Sequence, residues 1–199
     1  MTEGYIKFNC EWEQKEISIP ASTFLELEAS RDLLFKQKLI GMYPDGIGYG
    51  NISTRIDKST FLITGSATGQ FEHLTPEHYA VVTEYDFQKN FLSCIGQTKA
   101  SAESLTHAAV YEILPEVSAV VHIHCLWLWE KLLNILPTTP SEIEYGTPEM
   151  ALSIQKIISE TEGNTIIMGG HREGILSFGQ NLDEATSSII RIYNHYQHD

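Results

Sequence analysis

The stretch Val117-Ser118-Ala119-Val120-Val121-His122-Ile123-His124 decides how this chain is read. Side chains two apart on an extended strand share a face. His122 and His124 therefore project together, while Val121 and Ile123 turn the other way into a core. Two imidazoles side by side on a stiff strand suit a divalent metal such as zinc, which takes histidine nitrogen readily. An HxH pair alone reads equally as two half-buried strand histidines, so the surrounding sequence decides.

Immediately upstream, Ser101 is placed to cap a helix running to about Leu114, which feeds directly into the histidine strand. Downstream, Thr147-Pro148-Glu149 opens a helix whose Met150, Ala151, Ile154, Ile157 and Ile158 fall at helical spacing. Thr165-Ile166-Ile167-Met168 predicts a buried strand ending at Gly169-Gly170-His171. Asn181-Leu182-Asp183-Glu184 caps a last helix with Ala185, Ile189, Tyr193 and Tyr196 along one stripe.

Nearer the start, Thr23-Phe24-Leu25-Glu26 reads as a capping box for a helix to about Leu39, with Gly41 as its stop. Gly46, Gly48 and Gly50 form a loop entering Asn51-Ile52-Ser53-Thr54-Arg55-Ile56. A strand over Thr60-Phe61-Leu62-Ile63-Thr64 runs into the turn Gly65-Ser66-Ala67-Thr68-Gly69. Thr75-Pro76-Glu77 opens a short helical turn, and Tyr79-Ala80-Val81-Val82-Thr83 predicts a strand. Residues 4–19 alternate loosely and predict an N-terminal hairpin. Interleaved strands and helices define an α/β (α+β) class, with helices packed on a central sheet. At 199 residues the chain suits one well-buried domain over 1–199, with residues 1–20 as an extension.

The composition, 42% apolar and 20% charged, is that of a globular protein. A net charge of −13 argues against a nucleic-acid or anionic-membrane partner, because both need clustered Lys and Arg. It leaves room for an anionic small-molecule substrate, since a metal and a few cations dominate the field inside a cleft. Cys10, Cys94 and Cys125 show no CxxC spacing and cannot all pair, which fits a reducing compartment. Met1-Thr2-Glu3-Gly4-Tyr5 lacks the basic and apolar regions of a signal peptide, and no apolar run approaches the roughly 20 residues that span a bilayer. The expected location is the cytoplasm.

Three elements converge on the HxH pair. Glu103 stands in the opening turn of the preceding helix, where backbone amides favour an ionised carboxylate. It is either an ordinary first-turn acid, the commoner case for an isolated Glu, or, near a metal, a base suited to taking a proton from carbon or oxygen. His107, four residues on, either orients Glu103 or is structural, and the structural role is preferred. His171, after a strand and two glycines, is either a loop histidine or the further ligand that catalytic zinc, commonly held by three protein groups, would take. The loops Gly50-Asn51-Ile52-Ser53 and Thr64-Gly65-Ser66-Ala67-Thr68-Gly69 offer backbone N–H groups and hydroxyls able to cradle an oxyanion, although ordinary turns have the same composition. Arg55 and Lys99 either add charge there or are surface residues. His73, His78, His195 and His198 read as surface histidines.

In this order the motifs resemble the class II aldolase/adducin-head family. The matching pieces are Gly50-Asn51-Ile52-Ser53-Thr54-Arg55, Leu62-Ile63-Thr64 with its glycine turn, Leu74-Thr75-Pro76-Glu77 and Lys99-Ala100-Ser101-Ala102-Glu103. Thr106-His107-Ala108-Ala109-Val110-Tyr111 follows, then Pro115 with the histidine strand, Tyr145-Gly146-Thr147, and Gly174-Ile175-Leu176-Ser177-Phe178-Gly179 with the Asn181–Ala185 helix start. The resemblance implies a three-layer αβα fold around a mostly antiparallel sheet, and a homo-oligomer, the tetramer favoured, with active sites at subunit boundaries. It implies a divalent metal, zinc first and Mn2+, Co2+ or Fe2+ otherwise, held by His122, His124 and a later histidine. It makes Glu103 the catalytic acid/base and matches Gly50, Asn51, Thr64, Gly65, Ser66 and Ser101 to phosphate-binding segments. In the family's aldolases the metal binds the oxygens of a ketone or enediolate. Epimerases of the family tend to have Asp at the Glu103 position, which leans toward aldol-type chemistry on a small hydroxy-carbonyl or sugar-phosphate substrate. Epimerase, dehydratase or decarboxylase chemistry, or a non-catalytic adducin-like role, are the alternatives, and the intact HxH and Glu103 speak against the last.

This chain departs from the family pattern in four places. The second of two serines before the acid is Ala102. The turn after Thr64 is one residue longer, with Ala67 where glycine is usual. The third ligand normally directly precedes glycine, whereas here Glu173 precedes Gly174 and His171 lies two residues earlier; His171 is favoured over Glu173. Only about twenty residues separate His124 from Tyr145, a segment that is longer in the aldolases and carries a catalytic tyrosine in some. Trp127, Trp129 and the Leu132–Leu136 run fill a core or an interface instead, and no residue is assigned as that tyrosine.

Overall fold

The computed structural model describes residues 5–197. It builds an eight-stranded sheet in the spatial order β1 (Asn9–Gln14), β7 (Phe91–Gly96), β6 (Tyr79–Asp86), β5 (Phe61–Thr64), β4 (Asn51–Arg55), β8 (Ala119–His124), β10 (Gly174–Gly179), β9 (Thr165–Ile167). Every neighbouring pair is antiparallel except β1 with β7. A separate two-stranded hairpin joins β2 (Gly41–Met42) to β3 (Gly48–Tyr49).

Alternation along each strand divides the core in two. Phe61, Ile63, Val120, Leu176 and Phe178 point to one face, where Leu105, Ala108 and Ala109 of α2 (Ser104–Ile113) and Met150, Ala151 and Ile154 of α4 (Pro148–Glu160) cover them. Ile52, Leu62, Val121, Ile123 and Ile175 point to the other. There they meet α1 (Ala21–Lys36), α3 (Leu126–Leu132) and α5 (Leu182–Gln197) through Leu27, Leu34, Leu128, Leu132, Ala185 and Ile189. The result is the three-layer αβα arrangement around a mostly antiparallel sheet.

Several expected boundaries hold for their expected reasons. Thr147 Oγ1 accepts from Met150 N–H at 3.3 Å and caps α4. Asn181 Oδ1 accepts from Glu184 N–H at 2.8 Å and caps α5. Pro76–His78 is a single 3-10 turn.

Four expectations are corrected. The N-terminal segment is no hairpin (its residue 4 lies outside the described residues). Cys10 and Trp12 of β1 pack on the α2/α4 side, whereas Ile17 and Ile19 pack on the opposite side. The chain therefore wraps around the sheet end instead of folding back, and β1 pairs with distant β7, Trp12 Nε1 donating to Gly96 O at 2.9 Å. Second, α1 starts at Ala21 behind Pro20, with no side-chain cap from Thr23. Third, α1 stops before Gly41. Lys38 takes a left-handed φ of 58°, and Lys38 N–H and Leu39 N–H return to Phe35 O and Leu34 O, both at 2.9 Å. That is a Schellman closure with lysine in the place glycine usually holds. Fourth, α2 begins at Ser104 with Glu103 itself at the N-cap. Ser101 shapes the preceding turn, its Oγ accepting Glu103 N–H at 3.3 Å and its carbonyl accepting Ser104 N–H at 3.0 Å.

Candidate metal centre

The strand pattern delivers the two histidines to the end of β8, on the α2/α4 side. Asn51 of β4 lies in register with His122, and Gly174 of β10 with His124. His171 reaches them from the turn between β9 and β10. Gly174 is required there: a Cβ at that position would stand 2.9 Å from the His171 ring. The ring nitrogens of His122, His124 and His171 lie within 4.8 Å of one another, and all three residues are buried.

The chemistry of this donor set fits a divalent metal. Burial, and then the neighbouring histidines, hold His122 well below its usual titration range, and burial followed by His171 does the same for His124. Both imidazoles are therefore neutral, and each carries a lone pair on one ring nitrogen. Their Nε2 atoms are 3.0 Å apart, near the roughly 3.3 Å between two nitrogens on a tetrahedral zinc with Zn–N of about 2.0–2.1 Å. Glu173 is outside this cluster: its carboxylate accepts from the Tyr43 hydroxyl at 2.7 Å.

Glu103 is buried beside the histidines. One carboxylate oxygen accepts from Thr106 Oγ1 at 2.7 Å, and the other lies 3.6 Å from His171 Nδ1. His107 points elsewhere: its Nδ1 meets Ser53 Oγ at 2.7 Å, and Ser53 Oγ meets the Tyr111 hydroxyl at 2.7 Å. Burial pushes His107 down to about 3. It is a neutral core histidine within a polar chain that links α2 to β4.

A cleft of about 410 Å³, open to solvent, stands above these groups. Gly50, Asn51, Gly65, Ser66 and Ser101 line it, as do Glu103 and the three histidines. Thr64 does not. It sits inside the sheet with its hydroxyl accepting Ile52 N–H at 3.2 Å. Gly50 has φ +75°, and a Cβ there would collide with Ile40 at 2.7 Å. Ala67 does hold the position of a glycine, at φ +61°. The side-chain carbonyl of Asn51 is buried with no hydrogen-bond partner among the described residues, an acceptor left for a ligand. Arg55 and Lys99 are not in the lining. Arg55 donates to the carbonyls of Val117, Tyr111 and Leu114, and Lys99 lies over the Trp12 ring.

Sequence reasoning missed the aromatic wall and its anchor. The Tyr49 ring stacks on His124 at 5.4 Å and the Tyr145 ring on His171 at 4.5 Å, both lining the cleft. Arg31 is fully buried and donates to the carbonyls of Thr68, Phe71 and Glu72, pinning the loop that follows Gly65. The aromatic spacing Tyr43…Tyr49 around a glycine loop was the available signal for the wall. Trp129 reaches the core, donating to Met168 O at 2.9 Å, whereas Trp127 is partly exposed over the Tyr193 ring. His73 and His195 are exposed and His78 is partly so; His198 lies outside the described residues.

The chain belongs to the Class II Aldolase and Adducin N-terminal domain family, whose model matches residues 44–195. Among characterised proteins it is 37% identical over 114 residues to a 3-oxo-tetronate 4-phosphate decarboxylase of Haemophilus influenzae. That match takes in 55% of this chain and 49% of the relative, so the chain spans about half the length of the curated relative it matches. Its fold is that of an L-fuculose 1-phosphate aldolase, with TM-score 0.67 and 20% identity over 89% of this chain and 84% of the other. An L-fuculose-1-phosphate aldolase of Thermus thermophilus aligns with TM-score 0.61 and 26% identity over 87% and 91%. Class II aldolases depend on a divalent metal, in accord with the three-histidine cluster here. Among the described residues no helix is long and apolar enough to cross a membrane.

Proposed function

We propose that this protein is a divalent-metal lyase that breaks a carbon–carbon bond next to a carbonyl in a small polyhydroxy, preferably phosphorylated, substrate. The observation that carries this reading is the approach of the Glu103 carboxylate to 3.6 Å from His171, within a buried set of three imidazoles. His122, His124 and His171 would hold the ion, zinc being the first choice. When bound, it supplies a Lewis acid that lowers the cost of placing negative charge on carbon beside a carbonyl.

The protein's own groups do the rest. Glu103 holds or removes a proton at the reacting carbon or its hydroxyl, oriented by the hydroxyl of Thr106. The loops at Gly50–Asn51 and Gly65–Ser66, with Ser101, receive the polar end of the substrate, and Tyr49 and Tyr145 narrow the access of water. Two bond-breaking chemistries fit one such site, because aldol cleavage and loss of CO2 from a 3-oxo acid both leave an electron pair on carbon next to a carbonyl. The identity to a 3-oxo-tetronate 4-phosphate decarboxylase favours the second as the first alternative to test. Assembly as a homo-oligomer, preferably a tetramer, is part of the proposal and is supported by family membership.

The test is turnover by zinc-loaded protein with ketose 1-phosphates, read as dihydroxyacetone phosphate release, and with 3-oxo-acid 4-phosphates, read as CO2 release. Glu103→Gln is expected to keep its metal and lose at least about a hundredfold in rate. Undiminished turnover by that variant would refute the role of Glu103.

A further inference from the structure

His124 is contacted at both of its ring nitrogens. Nε2 faces His122 Nε2 at 3.0 Å, and Nδ1 faces the Tyr43 hydroxyl at 2.8 Å. That hydroxyl donates its hydrogen to Glu173 Oε2 at 2.7 Å. A phenol has a single hydrogen, and here the carboxylate oxygen accepts it. With its hydrogen committed to Glu173, Tyr43 Oη accepts from His124. The imidazole hydrogen then sits on Nδ1, and Nε2 keeps its lone pair toward the cluster. The reverse order would put the hydrogen on Nε2 and close that nitrogen to a metal.

The backbone around Glu173 points the same way. Glu173 has φ +76°. It is the third residue of a four-residue turn closed by Gly174 N–H on His171 O at 2.9 Å. Glycine or asparagine suits that position, and a glutamate is strained in it. Such strain persists where the surrounding structure uses it. Here the turn carries His171 at one end and presents the Glu173 side chain to Tyr43. Its Glu173 carbonyl also accepts Cys125 N–H at 2.9 Å, directly after His124. Tyr43 itself stands at the tip of the β2–β3 hairpin, fixed by its N–H on Ile47 O at 2.8 Å.

We propose that Tyr43 and Glu173 are positioning residues, a relay that sets the tautomer and ring orientation of His124 and thereby the divalent-metal affinity of the site. This rests on the reading of His122, His124 and His171 as metal ligands. The relay crosses between two elements that lie 130 residues apart in the chain, so it ties the hairpin to the turn through the histidine.

The experiment uses the full-length protein, stripped with a chelator and titrated with Zn2+ against a chromophoric competitor. Tyr43→Phe and Glu173→Gly are expected to weaken Zn2+ binding about 10- to 100-fold, the range known for outer-shell partners of metal-bound histidine. Glu173→Gln keeps an acceptor for Tyr43 and falls between these and wild type. Glu173→Gly relieves the left-handed glutamate, so its metal-free melting temperature is expected to equal or exceed that of wild type. Imidazole 15N spectra of the metal-free protein are expected to show His124 as the Nδ1–H tautomer in wild type and to lose that signature in Tyr43→Phe. Zn2+ affinities of Tyr43→Phe and Glu173→Gly within about twofold of wild type would overturn the relay. So would a fall in the metal-free melting temperature of Glu173→Gly that accounts for its weaker binding. His124→Ala separates the two layers: wild type that binds Zn2+ and loses it on His124→Ala, with Tyr43→Phe and Glu173→Gly unaffected, refutes the relay alone. Wild type that binds no Zn2+ refutes the metal site with it.

Discussion

Replacing Arg31 with methionine tests whether the wall of the cleft is built from inside the molecule. The guanidinium is 1% exposed and donates to Glu72 O at 2.8 Å, to Thr68 O at 3.2 Å and to Phe71 O. Methionine retains most of the side-chain volume and removes all of the donors. Removing the charge also removes its own desolvation cost, so the loss falls mainly on the acceptors left behind. The carbonyls of Phe71 and Glu72 belong to exposed residues where water can replace the donor, whereas Thr68 is buried. Thr68 O keeps the N–H of Phe71 at 3.2 Å, so what is lost there is one buried charge-assisted bond, worth about 1.5–3 kcal/mol, and two further charge-assisted bonds replaced by water add about 1 kcal/mol more. The expected destabilisation is about 2–4 kcal/mol, which with a urea slope of about 2–3 kcal/mol/M lowers the midpoint by about 1–2 M. The assay is urea unfolding of metal-free protein followed by circular dichroism, with limited proteolysis across residues 65–72. Arg31→Lys is expected to recover less than half of the loss, because an ammonium cannot span the separated carbonyls as a planar fork does. A midpoint within about 0.2 M of wild type for Arg31→Met, with no new cleavage in the loop, would refute the reasoning.

Three further outcomes follow from other parts of the structure. His107 is held neutral to about 3, while in the unfolded chain it takes up a proton near 6.5. The unfolded state thus binds the extra proton, so the contribution is complete above pH 6.5. It is lost on acidification at about 1.4 kcal/mol per pH unit until His107 itself titrates. Denaturation curves at pH 7, 6 and 5 for wild type and His107→Gln are expected to converge on acidification, and parallel curves would contradict this. Thr147→Ala removes the α4 cap and is expected to cost about 1 kcal/mol by urea unfolding. Arg55→Met strips donors from the carbonyls of Val117, Tyr111 and Leu114, at an expected cost of about 2 kcal/mol, with metal content unchanged because Arg55 is outside the cleft.

How far the molecule could be read from its residues depends on the range of each interaction. Val121 and Ile123 against His122 and His124 were legible because a period of two is a property of the strand alone. The Thr147 and Asn181 caps were legible because both act within a few residues of themselves. The stop of α1 was hidden because Lys38, not a glycine, takes the left-handed position. The parallel pairing of β1 with β7 depends on a chain wrapping the sheet end, a tertiary choice that local alternation does not encode. At the site, glycine-rich loops flagged the cleft, and the glycine before Ile175 let His171 be weighed against Glu173. Only geometry separated them, since the same short turn offers both side chains and the difference lies in a positive φ at Glu173. Tyr43, Tyr49, Tyr145 and Arg31 act across gaps of tens of residues or more, where spacing carries no signal.

Metal stoichiometry tests the three-histidine centre itself. Wild type, His122→Ala, His124→Ala, His171→Ala and Glu103→Gln are loaded with excess Zn2+, freed of unbound ion and analysed by elemental mass spectrometry. One ion per chain is expected in wild type and in Glu103→Gln, with loss of that ion in each histidine variant, because all three imidazoles converge within 4.8 Å. Full metal retention in His171→Ala, or a folded wild type that retains none, would contradict it.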